Sequence, residues 1–223
     1  MRHHMVEDVM TTAVVSVRPD AGFKDIAWHL AEHDITAMPV VDDQGRPIGV
    51  VSEADLLRKQ ESQADPGGHL SDTYLQPAGR AKAHALTADG VMTSPVITAR
   101  LRWSVVEAAR AMARHHVKRL PVVDDAGRLV GIVSRGDLLR VFLRRDPAIR
   151  EEIATDVLTR TLGVTPGAVT VQVTDGRVTL SGTVPQGSLI PIAVRLCESV
   201  DGVVDVTHHL RAEPDTAVGT PPR

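Results

Sequence analysis

A single cysteine, Cys197, in 223 residues excludes an intramolecular disulfide framework and a zinc site built from cysteines alone. Aromatics are 2% of the chain (Phe23, Trp28, Tyr74, Trp103 and Phe142), so the core has to be built from Val, Ile, Leu, Ala and Met. Neither sign of charge dominates. The 25 Lys+Arg face 28 Asp+Glu for a net charge of -3, which leaves no global basic field, and no nucleic-acid partner is expected. No run approaches the ~18 apolar residues of a membrane span. The opening MRHHMVEDVM lacks the apolar stretch of a secretory signal, and the expected location is cytoplasmic. The P-loop, the G-x-S-x-G elbow and a G-x-G-x-x-G after a strand are all missing. H-E-x-x-H and finger spacings are missing too, so the ten histidines read as surface residues, even His29 and His33, four apart on one predicted helix. Together these absences predict no catalytic residues, no metal and no enzyme activity.

What the chain does contain is a copy of itself. Val9–Arg58 aligns without a gap with Val91–Arg140 at a constant offset of 82, and 22 of the 50 paired positions are identical. The clearest stretch sets MPVVDDQGRPIGVVSEADLLR (Met38–Arg58) against LPVVDDAGRLVGIVSRGDLLR (Leu120–Arg140). Within one copy, Val14–Val17 is a β-branched run that predicts a strand. Ile26, Ala27, Leu30 and Ala31 have helical spacing, and the second copy opens the same helix with a capping box, Ser104 to Glu107. Pro39–Val41 and Ile48–Val51 read as a hairpin around the turn Asp42-Asp43-Gln44-Gly45. Ser52 and Asp55 then open a second helix. The unit is strand, helix, strand, strand, helix.

The combination VMTxxVVSV, (M/L)PVVDDxGR and (I/V)GxVSxxDLL resembles the cystathionine β-synthase (CBS) domain, and the pair resembles a Bateman module over about Val6–Arg144. The resemblance implies an α/β (α+β) fold, a tandem CBS pair with pseudo-twofold symmetry. It also implies regulatory binding of an adenosine-containing ligand (AMP, ADP, ATP, S-adenosylmethionine or NAD) in the clefts between repeats, and a homodimer.

On that reading Asp55 and Asp137 accept from ribose hydroxyls. Ser52 and Ser134 contact ribose or phosphate, beside helix N-termini whose free N–H groups suit an anion. From spacing alone, Ser as a helix cap and Asp as a partner of the helix dipole is the better account; the family pattern, present twice, favours binding. An apolar slot for the base is expected at Thr12, Val14, Met38 and Pro39 in copy one and at Ser94, Val96, Leu120 and Pro121 in copy two, positions that core packing also suits. Lys118, Arg119 and Arg135 of copy two stand where copy one has Thr36, Ala37 and Glu53. Phosphate binding is expected from Lys118, Arg119 and Arg135, with most of the anion attraction on the Lys118/Arg119 side; a solvated basic edge is the alternative.

After the repeats, Asp146-Pro147 opens a helix with Ile149, Ile153, Val157, Leu158 and Leu162 on one face, and Gly163 is placed to stop it. Val169–Val173 alternates as a strand, Asp175-Gly176 is a hairpin turn, and Val178–Gly182 returns. A helix over Ile192–Val200, carrying Cys197 in its apolar face, and a strand over Val203–Val206 follow. With DGRVTLSGTV and VDGVVDVTHHL, this α-β-β-α-β order resembles the BON domain, which implies binding of a phospholipid surface or a protein partner and no catalysis.

The expected organisation is CBS repeat 1 at 1–60, a polar insert at 61–86 with a helical piece near Arg80–His84, CBS repeat 2 at 87–144, a BON domain at 146–212 and a disordered tail at 213–223. The expected function is a sensor in which a nucleotide shifts the packing of the repeats and the BON domain is the output. The rivals are a dimerisation scaffold with empty clefts that acts through its BON domain, and a small metal- or nucleotide-dependent enzyme.

Overall fold

The structure, a computed structural model, describes residues 4–61 and 82–213. Most of the expected insert and nearly all of the expected tail lie outside these residues. The chain divides into two compact units, one spanning Met5–Arg135 and the other holding His4 and the residues from Gly136 onward.

The first unit contains the β-hairpins of both repeats. Its elements are α1 (Val6–Val9), α2 (Phe23–Glu32), β1 (Ala37–Val41), β2 (Pro47–Ser52), α3 (Glu53–Glu61), α4 (Ala88–Val91), β3 (Ala99–Arg100), α5 (Val105–Arg114), β4 (Arg119–Val123) and β5 (Leu129–Ser134). Residues 82–84 form one helical turn, within the expected helical piece. The hairpins repeat each other's register: Met38 faces Val51 in one and Leu120 faces Val133 in the other. Each turn is built on an aspartate. Asp42 Oδ1 accepts from the backbone N–H of Gln44 and Arg46 at 2.9 and 2.8 Å, and Asp124 Oδ1 does so from Ala126 and Arg128 at 3.0 and 2.8 Å. The Arg128 N–H is the main reason the Asp124 carboxyl is held below its usual range. The capping box at Ser104 and Glu107 forms as the sequence predicts.

The strand expected at Val14–Val17 is a correction. It contracts to one parallel bridge, Val17 to Val40, because the segment changes partners along its length. Val17 exchanges bonds with its own repeat, while Thr11 pairs with Ile132 of the other, at 2.9 Å in both directions. The mirror contact, Thr93 with Val50 at 2.8 and 3.1 Å, lies 82 residues away at both ends. Two more contacts obey the same offset: Val6 N–H donates to the Trp103 carbonyl at 2.8 Å, and Ala88 N–H to the Ala21 carbonyl at 2.9 Å. The pseudo-twofold relation between repeats is thus written in backbone hydrogen bonds, and each repeat supplies edge pairing that the other lacks. The core follows suit, since Ala88 and Val91 of the second copy pack with Ile26, Leu30, Met38, Val40 and Val51 of the first.

The second unit begins within α6 (Arg135–Leu139) and continues through a 3-10 turn (Arg140–Leu143) into α7 (Asp146–Glu152). The expected α-helix to Leu162 instead widens into a π-helix over Ile153–Thr161. The hydroxyls of Thr159 and Thr161 donate to carbonyls five residues back, Ala154 and Asp156, at 2.9 and 2.7 Å, and Gly163 ends the run at φ +67. Asp146 is not the N-cap, which is Arg145. Its carboxylate instead accepts from Asp175 and Gly176 N–H at 2.8 and 3.0 Å, tying the helix start to the hairpin turn. β6 (Val169–Thr174), β7 (Arg177–Val184) and β8 (Asp205–Ala212) form a sheet in that order, β8 parallel to β7, with α8 (Leu189–Glu198) between β7 and β8 in the chain. β8 runs well past the expected Val206: its middle is exposed and polar, so apolar periodicity does not mark it. Ile149, Ile153, Val157, Val178, Leu180, Ala193 and Cys197 form the core. Burial pushes the Cys197 thiol up to about 12.

As composition required, no aromatic residue is buried among the described residues; Trp28 and Phe142 are exposed. Among the described residues no helix is long and apolar enough to cross a membrane.

Candidate ligand cleft between the repeats

The first unit holds a cleft of about 330 Å³ whose walls come from both repeats, a volume at the low end of the roughly 300–1,000 Å³ of small-molecule sites. Copy one contributes Thr36 and Ala37 from the start of β1, Val50 and Ser52 from β2, and Glu53, Ala54 and Asp55 from the first turn of α3. Copy two contributes Thr93, Pro95–Ile97 and His116–Arg119.

At the floor of the polar end lies Asp55, only 7% exposed on the first turn of α3. Its Oδ2 accepts from Ser52 N–H at 3.0 Å and from the Ser52 hydroxyl at 2.6 Å. The expected cap is thereby inverted, with the aspartate closing the serine backbone. Its Oδ1 receives Lys82 Nζ at 2.7 Å, with the Thr93 hydroxyl at 3.5 Å. Lys82 also donates to Thr93 Oγ1 at 2.9 Å.

From copy two, Arg119 reaches across the repeat boundary. Its Nη2 donates to Thr36 Oγ1 at 2.5 Å and its Nη1 to the Ala37 carbonyl at 3.2 Å. The guanidinium is therefore fixed in the cleft lining and its charge held in place. Lys118 beside it is exposed. The cations of copy two thus face the aspartate of copy one, an assignment that sequence left open.

The remaining expected site residues fall elsewhere. Val96 lines the cleft, but Met38 and Leu120 have no exposed surface and Pro39 and Pro121 are buried. Strand alternation explains the first pair: Ala37 and Arg119, one residue earlier, face the cleft, so Met38 and Leu120 face the core. The apolar lining comes instead from Ala37, Val50, Pro95, Val96, Ile97 and Val117. Thr12 and Ser94 are exposed and Val14 is half-buried, and none of the three lines this cleft. Ser134, Arg135 and Asp137 also lie outside it. Asp137 is buried at the start of α6, and its carboxylate lies 3.5 Å from Arg140.

Sequence reasoning missed Lys82, Thr93 and the His116-Val117 wall. Thr93 had a signal, since it repeats Thr11 at the offset of 82. Lys82 had none, because the insert has no second copy. Among the described residues no cluster of His, Cys, Asp and Glu is arranged to hold a metal ion.

Comparison with known proteins agrees with this architecture. The CBS domain model matches residues 6–62 and 88–144, and the BON domain model matches 145–214. An uncharacterized protein of Methanopyrus kandleri is 33% identical over 153 residues, covering 69% of this chain and 70% of that one. The crystal structure of CBSX2 in complex with AMP superposes with a TM-score of 0.53 at 32% identity, covering 63% of this chain and 97% of that one. The CBS domain pair of protein MJ0100, in complex with 5′-methylthioadenosine and S-adenosyl-L-methionine, gives 0.51 at 25% identity, covering 63% and 97%. A duplicated hairpin unit, a cleft shared by its two copies and a trailing α-β-β-α-β unit therefore have one common source: the chain belongs to the CBS-domain family and carries a BON domain after its CBS pair.

Proposed function

We propose that the protein is a non-catalytic sensor that binds an adenosine-containing ligand of the AMP, ADP or ATP class in the cleft at Asp55. The observation that carries the reading is the pairing of a buried carboxylate on one wall with Lys118 and the fixed Arg119 on the other. A carboxylate accepts from vicinal ribose hydroxyls, and cations lining the same cleft suit the phosphate. The apolar lining of the same cleft suits a purine face. AMP in CBSX2 and S-adenosyl-L-methionine in MJ0100 support the same class of ligand. The proposed output is the BON domain, presented to a phospholipid surface or a protein partner after the ligand has shifted the packing of the repeats. Such a shift requires that the ligand bind the two packings unequally.

The proposal includes pairing of two copies and a cytoplasmic site of action, where adenine nucleotides are available. Leu57 and Leu139, equivalent at the offset of 82, are 57% and 61% exposed, as expected of positions kept for a second chain. The test is thermal unfolding of the whole protein with AMP, ADP, ATP, NAD and S-adenosylmethionine, beside Asp55→Ala and Asp137→Ala. A ligand at 100 times its dissociation constant adds about 2.7 kcal/mol to the native state, a shift of several degrees for a chain of this size. Stabilisation lost in Asp55→Ala supports the sensor. No stabilisation by any ligand at millimolar concentration favours the scaffold.

A further inference from the structure

We propose that Lys82 is a specificity-determining residue that makes the Asp55 cleft favour phosphorylated ligands over bare nucleosides. This rests on the reading of the cleft as a nucleotide site and deepens it. Asp55 has two carboxylate oxygens. Oδ2 is committed to Ser52, through both its N–H and its hydroxyl, so Oδ1 is the oxygen left to accept from a ribose. Lys82 Nζ sits on that oxygen at 2.7 Å. Each carboxylate oxygen has two lone pairs, so a nucleoside that donates both vicinal ribose hydroxyls to Oδ1 must take the place of the ammonium.

That exchange is unfavourable on its own terms. Both side chains are largely shielded from water, with 21% of the Lys82 side chain and 10% of that of Asp55 exposed. Separating a shielded ion pair costs far more than separating a surface pair. A ribose hydroxyl is neutral, so it returns a hydrogen bond to Asp55 but nothing to the displaced ammonium. A phosphate on the same ligand supplies the missing anion, and the released lysine becomes a phosphate contact. The charges on the cleft walls point the same way. Among the lining residues Lys118 and Arg119 are matched in number by Glu53 and Asp55, so Lys82, bonded to Asp55 beside that lining, adds the cation that tips the balance toward an anionic ligand.

The position of Lys82 is built. Lys59, one helical turn after Asp55 on α3, donates to the carbonyls of Ala83 and Ala85, both at 3.3 Å, and lies over the Phe23 ring at 5.1 Å. One face of α3 thus carries both the carboxylate that Lys82 occupies and the ammonium that anchors the turn presenting it.

The test is calorimetric titration of the whole protein with adenosine and with AMP, in wild type, Lys82→Met and Lys59→Met, with unfolding curves to confirm folding. In Lys82→Met adenosine binding tightens about tenfold, the scale of one charge-assisted contact no longer displaced. AMP binding stays level or weakens, so the preference for AMP collapses. Lys59→Met, which frees the turn and keeps the Lys82 charge, tightens both ligands by less. Adenosine binding unchanged or weakened in Lys82→Met while wild type binds AMP overturns the role of Lys82 and leaves the nucleotide reading standing. Failure of every folded variant to bind either ligand overturns both. Adenosine binding that appears only in Lys82→Met supports the inference outright.

Discussion

Met92 fills the space above Gly49 of the other repeat, and Met10 does the same above Gly131, 82 residues along at one end and back at the other. In both places a β-carbon on the glycine would lie well inside contact distance of the methionine sulfur. The two glycines are identical in the repeats because each is a socket for the other copy.

Alanine at Gly131 should therefore destabilise the first unit, but by less than the roughly 1–3 kcal/mol usual for overpacking, because it meets the movable end of the Met10 side chain. The same change at Gly49 should cost more, since a β-carbon there would also meet Met92 Cβ at 3.1 Å, an atom that a change of rotamer does not move. In chemical denaturation the double variant Gly131→Ala/Met10→Ala should recover part of that loss, since it reopens the socket. Additive losses would contradict a direct contact.

Gly182 in β7 has φ +136, and a β-carbon there would run into the Ala168 carbonyl. Backbone strain of this kind costs of order 1–3 kcal/mol, and the clash adds to it. Gly182→Ala should unfold the C-terminal unit at lower denaturant concentration. An unchanged midpoint would show that the hairpin does not need this conformation.

The Cys197 thiol, pushed up to about 12 from an ordinary value of 9.0, should resist thiol reagents at neutral pH in the folded protein. Linkage gives a second check. Above pH 9 the unfolded chain releases this proton while the folded chain keeps it, so stability falls as pH rises from 9 towards 12. Cys197→Ala should flatten that fall. Equal slopes in the two proteins would show that the thiol does not couple to folding.

Lys118→Ala/Arg119→Ala should weaken AMP by about tenfold or more while leaving adenosine nearly unchanged, because only the phosphate uses these charges. Equal loss for both ligands in titration would remove them from phosphate binding and assign Arg119 to the structural contacts with Thr36 and Ala37 alone.

Much of this was legible in the sequence for a physical reason. Duplication doubles every local signal, so the Asp42 and Asp124 turns, the hairpins around them and the Ser52/Asp55 corner each stand out twice. The C-terminal order was legible from the Asp175-Gly176 turn and the alternation on both sides of it. What could not be read was pairing between distant segments. Thr11 with Ile132 leaves no local trace, and it breaks up the strand that Val14–Val17 predicts. That Met38 and Leu120 face the core rather than the cleft could not be read because β1 and β4 carry apolar residues on both faces, so alternation does not tell core from cleft. The π-helix was hidden because its apolar residues still fit a helical face. Lys82 was invisible because only the three-dimensional structure brings it to Asp55.

The most direct test of the account is calorimetric titration of AMP into the wild-type protein and into Asp55→Ala, with unfolding curves to confirm that both are folded. The account predicts saturable binding in the wild type and a loss of about tenfold or more in the variant, the scale of hydrogen bonds to a charged group. Equal AMP affinity in the two folded proteins would contradict it.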